Sequence, residues 1–355
     1  NQNPYRFGPE WRDFFTAEKN CTVLENANLT DIKFTKDLKQ VTSLKVKSLT
    51  GNSATIKCKS AVLACGGIEN ARLLLNSPLN KTLPCLGKYY AFHPRIVGAE
   101  LHLASPVTKE NIFQWHDDRG SKKKAFITNT NAYQLNTMQP NYAMALLNHW
   151  EPYSDGFRAA LRLKKGLETK TYSGSVKDDL LTVIGSFGTV AREYKRHRNV
   201  DLIHSFDLMT YIDPLPVKDN LIKLNNERDE LGMRRCTAIW KPTDRDIKFT
   251  REFNMSIAQH FGEIGLGRVK INPAIFDKDG FNELIKKSSG GGHQMGTTRM
   301  SESSKSGVVD SNLIVHGTSN LFCAGSSIFP TYSWVNPTMT IVAFSSRLAD
   351  YLSSS

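Results

Sequence analysis

Hydrophobic and polar positions follow a regular plan near the N-terminal end of this chain. Between Cys21 and Ile56 they alternate, which predicts half-buried β-strands. A nearly continuous apolar run follows at Ser60–Cys65 and ends in Gly66 and Gly67, and apolar residues then recur at helical intervals from Ile68 to Leu75. A strand, a glycine turn and a helix in this order are typical of a parallel nucleotide-binding sheet.

The same plan returns near the C-terminal end, after a middle part of different character. Asn320–Gly325 predicts a second buried strand that ends in glycine, and Asn336-Pro337-Thr338 predicts the start of a helix that runs to about Leu352. The middle, roughly Leu101–Lys287, carries aromatic-rich strands and charged helices such as Thr250–Gly262. Within it, Asn220–Asn225 predicts a short antiparallel strand.

These patterns predict a chain with α/β and α+β parts. We expect a parallel-sheet domain built from both chain ends, residues 1–100 and 290–355, with an antiparallel-sheet domain inserted at residues 101–289. A length of 355 residues, 40% of them hydrophobic, is consistent with about two domains.

The charge of the chain excludes little but disfavours one class of partner. The formal net charge is +12, yet the basic clusters are short and scattered among acids, unlike the long basic stripe of a nucleic-acid-binding protein. We interpret the excess as a solvated basic surface, with weak attraction to anionic substrates, partners or membrane surfaces as the alternative. No run reaches the roughly 18 apolar residues of a membrane-spanning helix, so we expect none.

The six cysteines and the first residue bear on the compartment. There is no CxxC and no metal-ligand spacing, so we expect no metal site. Cys65 and Cys323 lie in apolar runs, where buried free thiols are usual, and this favours a reducing, cytoplasmic compartment. Because the chain begins at Asn1 with no signal pattern, we expect a processed or truncated start.

Several short motifs could carry chemistry, and each has a plainer structural interpretation. The Gly66-Gly67 pair and Gly325-Ser326 let backbone approach a flat or phosphorylated ligand, but they also suit a tight turn. The helix start at Asn336 points free N–H groups at what lies before it, but it also suits an ordinary capped helix. His293 lies among glycines and could accept a proton near neutral pH, although a single histidine is more often structural.

Taken together, these motifs resemble the C-terminal signature of glucose–methanol–choline (GMC) oxidoreductases. The resemblance covers about 130 residues in the two end segments. Its parts are His293–Met300, Gly307–Asp310, Val315–Gly317, Asn320–Ser327, Asn336–Thr340 and Leu348–Asp350, with the upstream block Leu63–Leu75 and the "GRxxxxHP"-like Gly87, His93 and Pro94, where Lys88 replaces Arg.

The resemblance implies a cofactor, a reaction and roles for residues. It implies FAD, with a small alcohol or carbohydrate as substrate, and it leaves the electron acceptor open between oxygen, a quinone and a cytochrome. His293 matches the base that takes the hydroxyl proton while hydride leaves for flavin N5, and Asn336 matches its hydrogen-bonding partner. The positions implied to contact FAD are Leu29, Ala64, Gly66, Gly67, Gly325, Ser326, Asn336, Pro337 and Thr338.

One departure from the family pattern concerns the phosphates of the cofactor. The GxGxxG fingerprint that follows an N-terminal strand in the family is absent, and Gly265-Leu266-Gly267 is not followed by a third glycine. We therefore expect that the chain lacks about the first third of a GMC enzyme and that a longer chain or a partner chain supplies the pyrophosphate loop. The alternative is a non-catalytic subunit that retains the fold.

Overall fold

The computed structural model describes most of the chain. It covers residues 7–108, 111–118, 121–149, 154–169, 172, 174–199, 202–287 and 292–354. The predicted boundary at residue 290, with Gly290 and Gly291 of the glycine run before His293, lies outside these described residues.

The described residues form helices and strands in mixed order, with runs of consecutive strands and one run of three consecutive helices. The helices are α1 Phe7–Ala17, α2 Gly66–Leu75, α3 Asn131–Thr137, α4 Asp155–Thr169, α5 Val176–Gly185, α6 Phe187–Asn199, α7 Asp244–Glu263, α8 Lys278–Lys287 and α9 Thr338–Ser354. The strands are β1 Asn28–Phe34, β2 Val41–Lys47, β3 Ser53–Lys57, β4 Ala61–Leu63, β5 Arg95–Thr108, β6 His116–Asp118, β7 Ser121–Lys123, β8 Ile127–Thr128, β9 Ala143–Asn148, β10 Leu202–Tyr211, β11 Leu221–Arg228, β12 Arg234–Ile239, β13 Gly267–Ile271 and β14 Leu321–Cys323.

The two ends of the chain meet in a parallel pair of strands. β4 pairs with β14 in parallel, with Ala61 opposite Leu321 and Leu63 opposite Cys323. Each strand is followed by a positive-φ glycine, Gly66 or Gly325, which allows a sharp turn that a residue with a Cβ rarely adopts. The predicted strand, glycine turn and helix are therefore confirmed as local structure at β4 and α2.

The middle of the chain forms an antiparallel sheet of five strands. Its order is β13-β5-β10-β9-β8, and all four pairings are antiparallel. β1, β2 and β3 form a separate antiparallel sheet, and β11 pairs antiparallel with β12. The antiparallel prediction for Asn220–Asn225 is thus confirmed within β11.

Two hydrophobic cores match these two kinds of sheet. One core joins both chain ends and includes Leu63, Leu74, Leu321 and Leu348. The other lies between the five-stranded sheet and helix α7, with Leu101, Leu208 and Phe253 among its members. The fold is a mixed α/β arrangement with several sheets.

Two details of the sequence interpretation are wrong. Val23 and Leu24 precede β1 in irregular backbone and are exposed, because the strand begins only at Asn28. Cys65 is exposed rather than buried, because it lies beyond the last paired residue of β4, in the turn into α2. Cys323, within β14, is fully buried as expected, and burial raises the pKa of its thiol to about 12.

A buried asparagine on α2 ties the two strand ends together. The side-chain oxygen of Asn70 accepts a hydrogen bond from the Cys65 backbone N–H at 2.8 Å. Its amide nitrogen donates to the Ala324 carbonyl at 3.0 Å and to the Ser327 hydroxyl at 2.9 Å. Asn70 is fully buried, so these three bonds replace water contacts that the amide cannot make.

Replacement of Asn70 should destabilise the protein. In Asn70→Ala the Cys65 N–H and the buried Ala324 carbonyl would both lose their partner, and we expect a loss of about 2–4 kcal/mol in the free energy of unfolding, measured by urea denaturation. Asn80→Ala is the control, because that exposed amide makes one bond to the Leu75 carbonyl, and its effect should stay within about 0.5 kcal/mol. Equal effects of the two variants would contradict this role.

Candidate functional site

The loop that carries His293 is anchored on both sides by backbone hydrogen bonds. On one side, Met295 and Ala91 donate their N–H groups to each other's carbonyls, at 2.8 and 3.1 Å. On the other side, the Gly296 N–H donates to the Ser326 carbonyl at 3.2 Å, in the turn after β14. The loop is therefore held between the strand end of the parallel pair and the segment that leads into β5.

Two predicted glycine-turn residues lie against this loop. A Cβ at Gly67 would come 2.1 Å from the Gln294 carbonyl oxygen, so the position admits only glycine at this distance. The Thr297 hydroxyl donates to the Gly67 carbonyl at 2.5 Å, and the Ser326 hydroxyl donates to the Gln294 carbonyl at 2.7 Å. Gly67 and Ser326 thus meet the residue next to His293.

His293 itself has an unusual backbone and one buried neighbour. Its φ of 65° lies in the left-handed region, which few residues with side chains adopt and which often marks functional sites. Its Nδ1 lies 3.2 Å from Nδ1 of His93, with the rings edge to face at 5.2 Å. One face of the imidazole packs on His93, while the residue as a whole is exposed.

The surroundings of the two imidazoles lower the pKa of both side chains. Burial, followed by the proximity of His293, lowers the pKa of His93 to about 4. Burial and then the charge of Arg95 also lower the pKa of His293. A hydrogen bond between two Nδ1 atoms requires one of them to carry the hydrogen. If His293 donates it, Nε2 of His293 keeps its lone pair and is free to accept a proton.

Beneath this pair, Tyr332 and Asp213 hold the segment that leads to α9. The Tyr332 hydroxyl donates to the Tyr89 carbonyl at 2.5 Å, and a Cβ at Gly296 would lie 2.6 Å from that hydroxyl. Burial raises the pKa of Asp213 to about 7, although backbone N–H groups of Asn141 and Ser333 oppose the rise. Asp213 is therefore a carboxyl group that changes charge near neutral pH.

The remaining predicted residues differ in their exposure to solvent. Ala64 is exposed at the end of β4, and Gly66 and Gly325 both have a φ of 90° with open space where a Cβ would be. Leu29, in β1, is partly buried and packs against the core that joins the chain ends. At the start of α9, Pro337 is buried, whereas Asn336 and Thr338 are exposed.

The structure joins only some of these predicted residues by contacts. Hydrogen bonds or close approaches link Gly67 and Ser326 to the His293 loop. Within the described part of the chain, the Asn336 side chain forms no hydrogen bond, so its partnership with His293 stays a prediction. Contacts to FAD by Leu29, Ala64, Gly66, Gly67, Gly325, Ser326, Pro337 and Thr338 also stay predictions.

Sequence reasoning missed three residues that shape the site. Asn70 had a signal, because it is a polar residue on the apolar face of a predicted helix. His93 belongs to a motif that resembles the family's, but the sequence predicts no role for it, because its partner His293 lies 200 residues away in the chain. Asp213 had no local signal, since its altered pKa comes from burial by distant segments.

The described residues offer neither a metal-binding cluster nor a membrane-spanning helix. Among the described residues, no three His, Cys, Asp or Glu side chains come together in a way that could hold a metal ion. In that same portion of the chain, every helix is too short or too polar to cross a bilayer.

Comparison with protein families gives one match. Residues 216–345 match the family model described as GMC oxidoreductase. The matched segment includes His293 and Asn336, and it contains β11, α7 and the whole of β14. FAD is the cofactor of this family.

Relatives and solved structures agree with the family match but are longer than this chain. A 2-methyl-1,2-propanediol dehydrogenase of Mycolicibacterium austroafricanum is 29% identical over 219 residues, which are 57% of this chain and 38% of that protein. A pyridoxine 4-oxidase from Mesorbium loti aligns with a TM-score of 0.57 and 16% identity over 96% of this chain and 59% of its own. An FAD-dependent oxidoreductase from Chaetomium thermophilum aligns with a TM-score of 0.54 and 17% identity, over 96% of this chain and 63% of its own. This chain thus spans less than two thirds of each.

A methyl group at Gly67 should disturb the His293 loop. Because the Cβ of Gly67→Ala would collide with the Gln294 carbonyl, we expect a loss of about 1–3 kcal/mol in stability and shifted NMR signals of residues 292–297. Gly185→Ala is a matched control, because that glycine also lies in a helix, α5, with nothing within 4 Å of the added carbon. It should be neutral or stabilising by up to about 1 kcal/mol, and the reverse order would refute the close approach.

Asp213 should make stability depend on pH in a defined window. Its folded pKa of about 7 lies above the ordinary value of 3.8, so the protonated form favours folding. This contribution is complete below about pH 4 and is lost as the pH rises through about 7. Relative to Asp213→Asn, the wild type should lose up to about 4 kcal/mol between pH 4 and pH 8 in urea unfolding. A constant difference between the two proteins across that range would contradict the raised pKa.

Proposed function

Because this chain carries a GMC oxidoreductase segment at residues 216–345, we propose that it is the substrate-oxidising part of an FAD-dependent enzyme. The substrate would be the CH–OH group of an alcohol, sugar or polyol. The observation that carries the proposal is the exposed His293, held in an anchored loop beside the strand ends with its Nδ1 against the buried His93.

The strand ends fit the isoalloxazine side of the cofactor. Gly66 and Gly325 follow the two parallel strands and leave open space at their Cβ positions, and Ala64, at the end of β4, is exposed. The carboxyl ends of parallel strands are where α/β sheets bind ligands. We propose that Ala64, Gly66, Gly67, Gly325 and Ser326 hold the cofactor there, with Leu29 on its adenine side.

The start of α9 supports the same proposal. Its first N–H groups lack partners within the helix, and the helix dipole adds partial positive charge there. Asn336 and Thr338 are exposed at this end, with Pro337 buried between them. We propose that this backbone lies against the pyrimidine edge of the cofactor, where negative charge develops on reduction.

The chain's own residues would divide the work of oxidation. His293 would accept the proton of the substrate hydroxyl at Nε2, while Asn336 would donate a hydrogen bond to the same oxygen and orient it. His93 would hold the other nitrogen of His293 and thereby the plane of its ring. When bound, FAD supplies the hydride acceptor.

The pyrophosphate loop would come from outside this sequence. We propose that the remainder of a longer chain, or a partner chain, supplies it, since no GxGxxG is present among the 355 residues. A non-catalytic subunit with the same fold is the second candidate. The absent fingerprint favours it, whereas the presence of both His293 and Asn336 argues against it, because a scaffold needs neither.

The test is the reduction of FAD by an alcohol in the assembled protein. Without an electron acceptor, the flavin absorbance near 450 nm should bleach when substrate is added, and His293→Ala should slow this step by about 10²–10⁴-fold in stopped-flow traces. His260→Ala, on the exposed side of α7, should leave the rate unchanged. If His293→Ala bleaches as fast as the wild type, His293 is not the base.

A further inference from the structure

Three aromatic side chains from distant parts of the chain meet next to the His293 site. Phe126 packs edge to face on Tyr211 with ring centroids 5.4 Å apart, and its ring lies 5.2 Å from that of Trp334. Tyr211 and Trp334 close the triangle at 6.1 Å. We call these three residues the aromatic box. All three are only partly buried, so the box has an accessible side.

The aromatic box adjoins the candidate base through two segments. Trp334 lies two residues before Asn336, directly after Tyr332 and Ser333, whose carbonyls are close to the His93 ring. Tyr211 ends β10 and is paired in register with Arg95, the first residue of β5. Arg95 in turn lies two residues after His93.

Arg95 brings a positive charge to this place without a carboxylate to neutralise it. Its guanidinium carbon lies 5.6 Å from the centroid of the Tyr211 ring, and it is close enough to His293 to lower the pKa of that imidazole. Among the described residues, no Asp or Glu forms an ion pair with Arg95. Glu100, on the same strand, lies instead against His102 and His149.

Asp213 follows Tyr211 by two residues, but its carboxyl group accepts hydrogen bonds from the backbone of Asn141 and Ser333 and, in the described part of the chain, forms no ion pair with Arg95. A partly buried guanidinium that packs on a tyrosine ring and forms no ion pair with the described residues is well suited to a ligand carboxylate, which it can bind with two parallel hydrogen bonds.

The aromatic box itself contains a hydrogen-bond donor without a partner. The indole N–H of Trp334 is buried and has no hydrogen-bond partner. Buried polar groups are nearly always paired in folded proteins, so an unpaired donor here points to a ligand acceptor such as a hydroxyl or carboxylate oxygen. The box therefore combines ring faces, a donor and an uncompensated cation.

We propose that the aromatic box and Arg95 form the substrate-binding site for an anionic sugar, a polyhydroxylated ring that carries a carboxylate. This inference rests on the proposed function, since it names the substrate class for the same site. The aromatic faces would pack on the C–H face of the ring, Arg95 would bind the carboxylate, and the Trp334 N–H would bind an oxygen. The net charge of +12 would raise the local concentration of such an anion.

A matched pair of sugars tests the proposal without the cofactor. The full chain is titrated with D-glucuronate and with D-glucose, which differ in having a carboxylate or a hydroxymethyl group, and the change in tryptophan fluorescence is followed. We expect glucuronate to bind at least about tenfold more tightly than glucose, with a difference that shrinks as salt is added. Equal affinities, or no binding of glucuronate, would overturn the proposal.

Two substitutions of Arg95 distinguish the effect of its charge from the effect of its forked donor geometry. Arg95→Gln should abolish the preference for glucuronate, whereas Arg95→Lys, which keeps the charge without the fork of donors, should retain part of it. Arg192→Gln is the control, because this exposed arginine lies on α6 and donates a hydrogen bond to Thr189. If Arg95→Gln and Arg95→Lys both keep the wild-type preference, Arg95 does not bind the carboxylate.

A further variant reports on the aromatic box itself. Trp334→Phe keeps a ring but removes the indole N–H, so it should weaken the binding of both sugars by several-fold and reduce the fluorescence response. An unchanged affinity for both would overturn the assignment of the box. These readouts do not depend on flavin, so they can fail while an alcohol still bleaches the assembled protein, in which case only the substrate class is wrong.

Discussion

The buried amide of Asn70 is the constraint on which the candidate site depends. It bonds to the turn after β4 and to the turn after β14, and so fixes the relative position of two segments from opposite ends of the chain. The Thr298 hydroxyl donates to the same Ser327 that Asn70 contacts, which extends the network into the His293 loop. Buried networks of this kind stabilise one arrangement strongly because each unpaired member would be costly.

Glycine and histidine meet different needs in that arrangement. Gly67 lets the Gln294 carbonyl come so close that no side chain would fit. This close approach sets the distance between the His293 loop and the start of α2. His293 accepts a left-handed backbone that most residues avoid, at a place where hydrogen bonds on both sides hold it. Strain at one residue is thus balanced by satisfied backbone groups at its neighbours.

Much of this arrangement could be predicted from the sequence, because hydrophobic runs, glycine and proline positions and short motifs determine it locally. The apolar run before Gly66 predicts β4, and the proline at residue 337 predicts the start of α9. The motifs around His293 resemble those of the GMC family. The aromatic box could not be predicted, because Phe126, Tyr211 and Trp334 are far apart in sequence and each has an ordinary local context. The same holds for His93 and Asp213, whose neutral forms depend on burial by distant segments.

The parallel pairing of β4 with β14 also has a consequence for how the molecule is made. Ala61 pairs with Leu321, 260 residues later, so this pairing cannot form until the ribosome has synthesised the chain through β14. Contacts of such long sequence separation are slow to form and leave early segments exposed in the meantime. The strands of the five-stranded sheet all precede β14 in the chain, so they can pair earlier. Pairing of β4 with β14 would then be a late step of folding, and a chain cut short before β14 would lack one side of the candidate site.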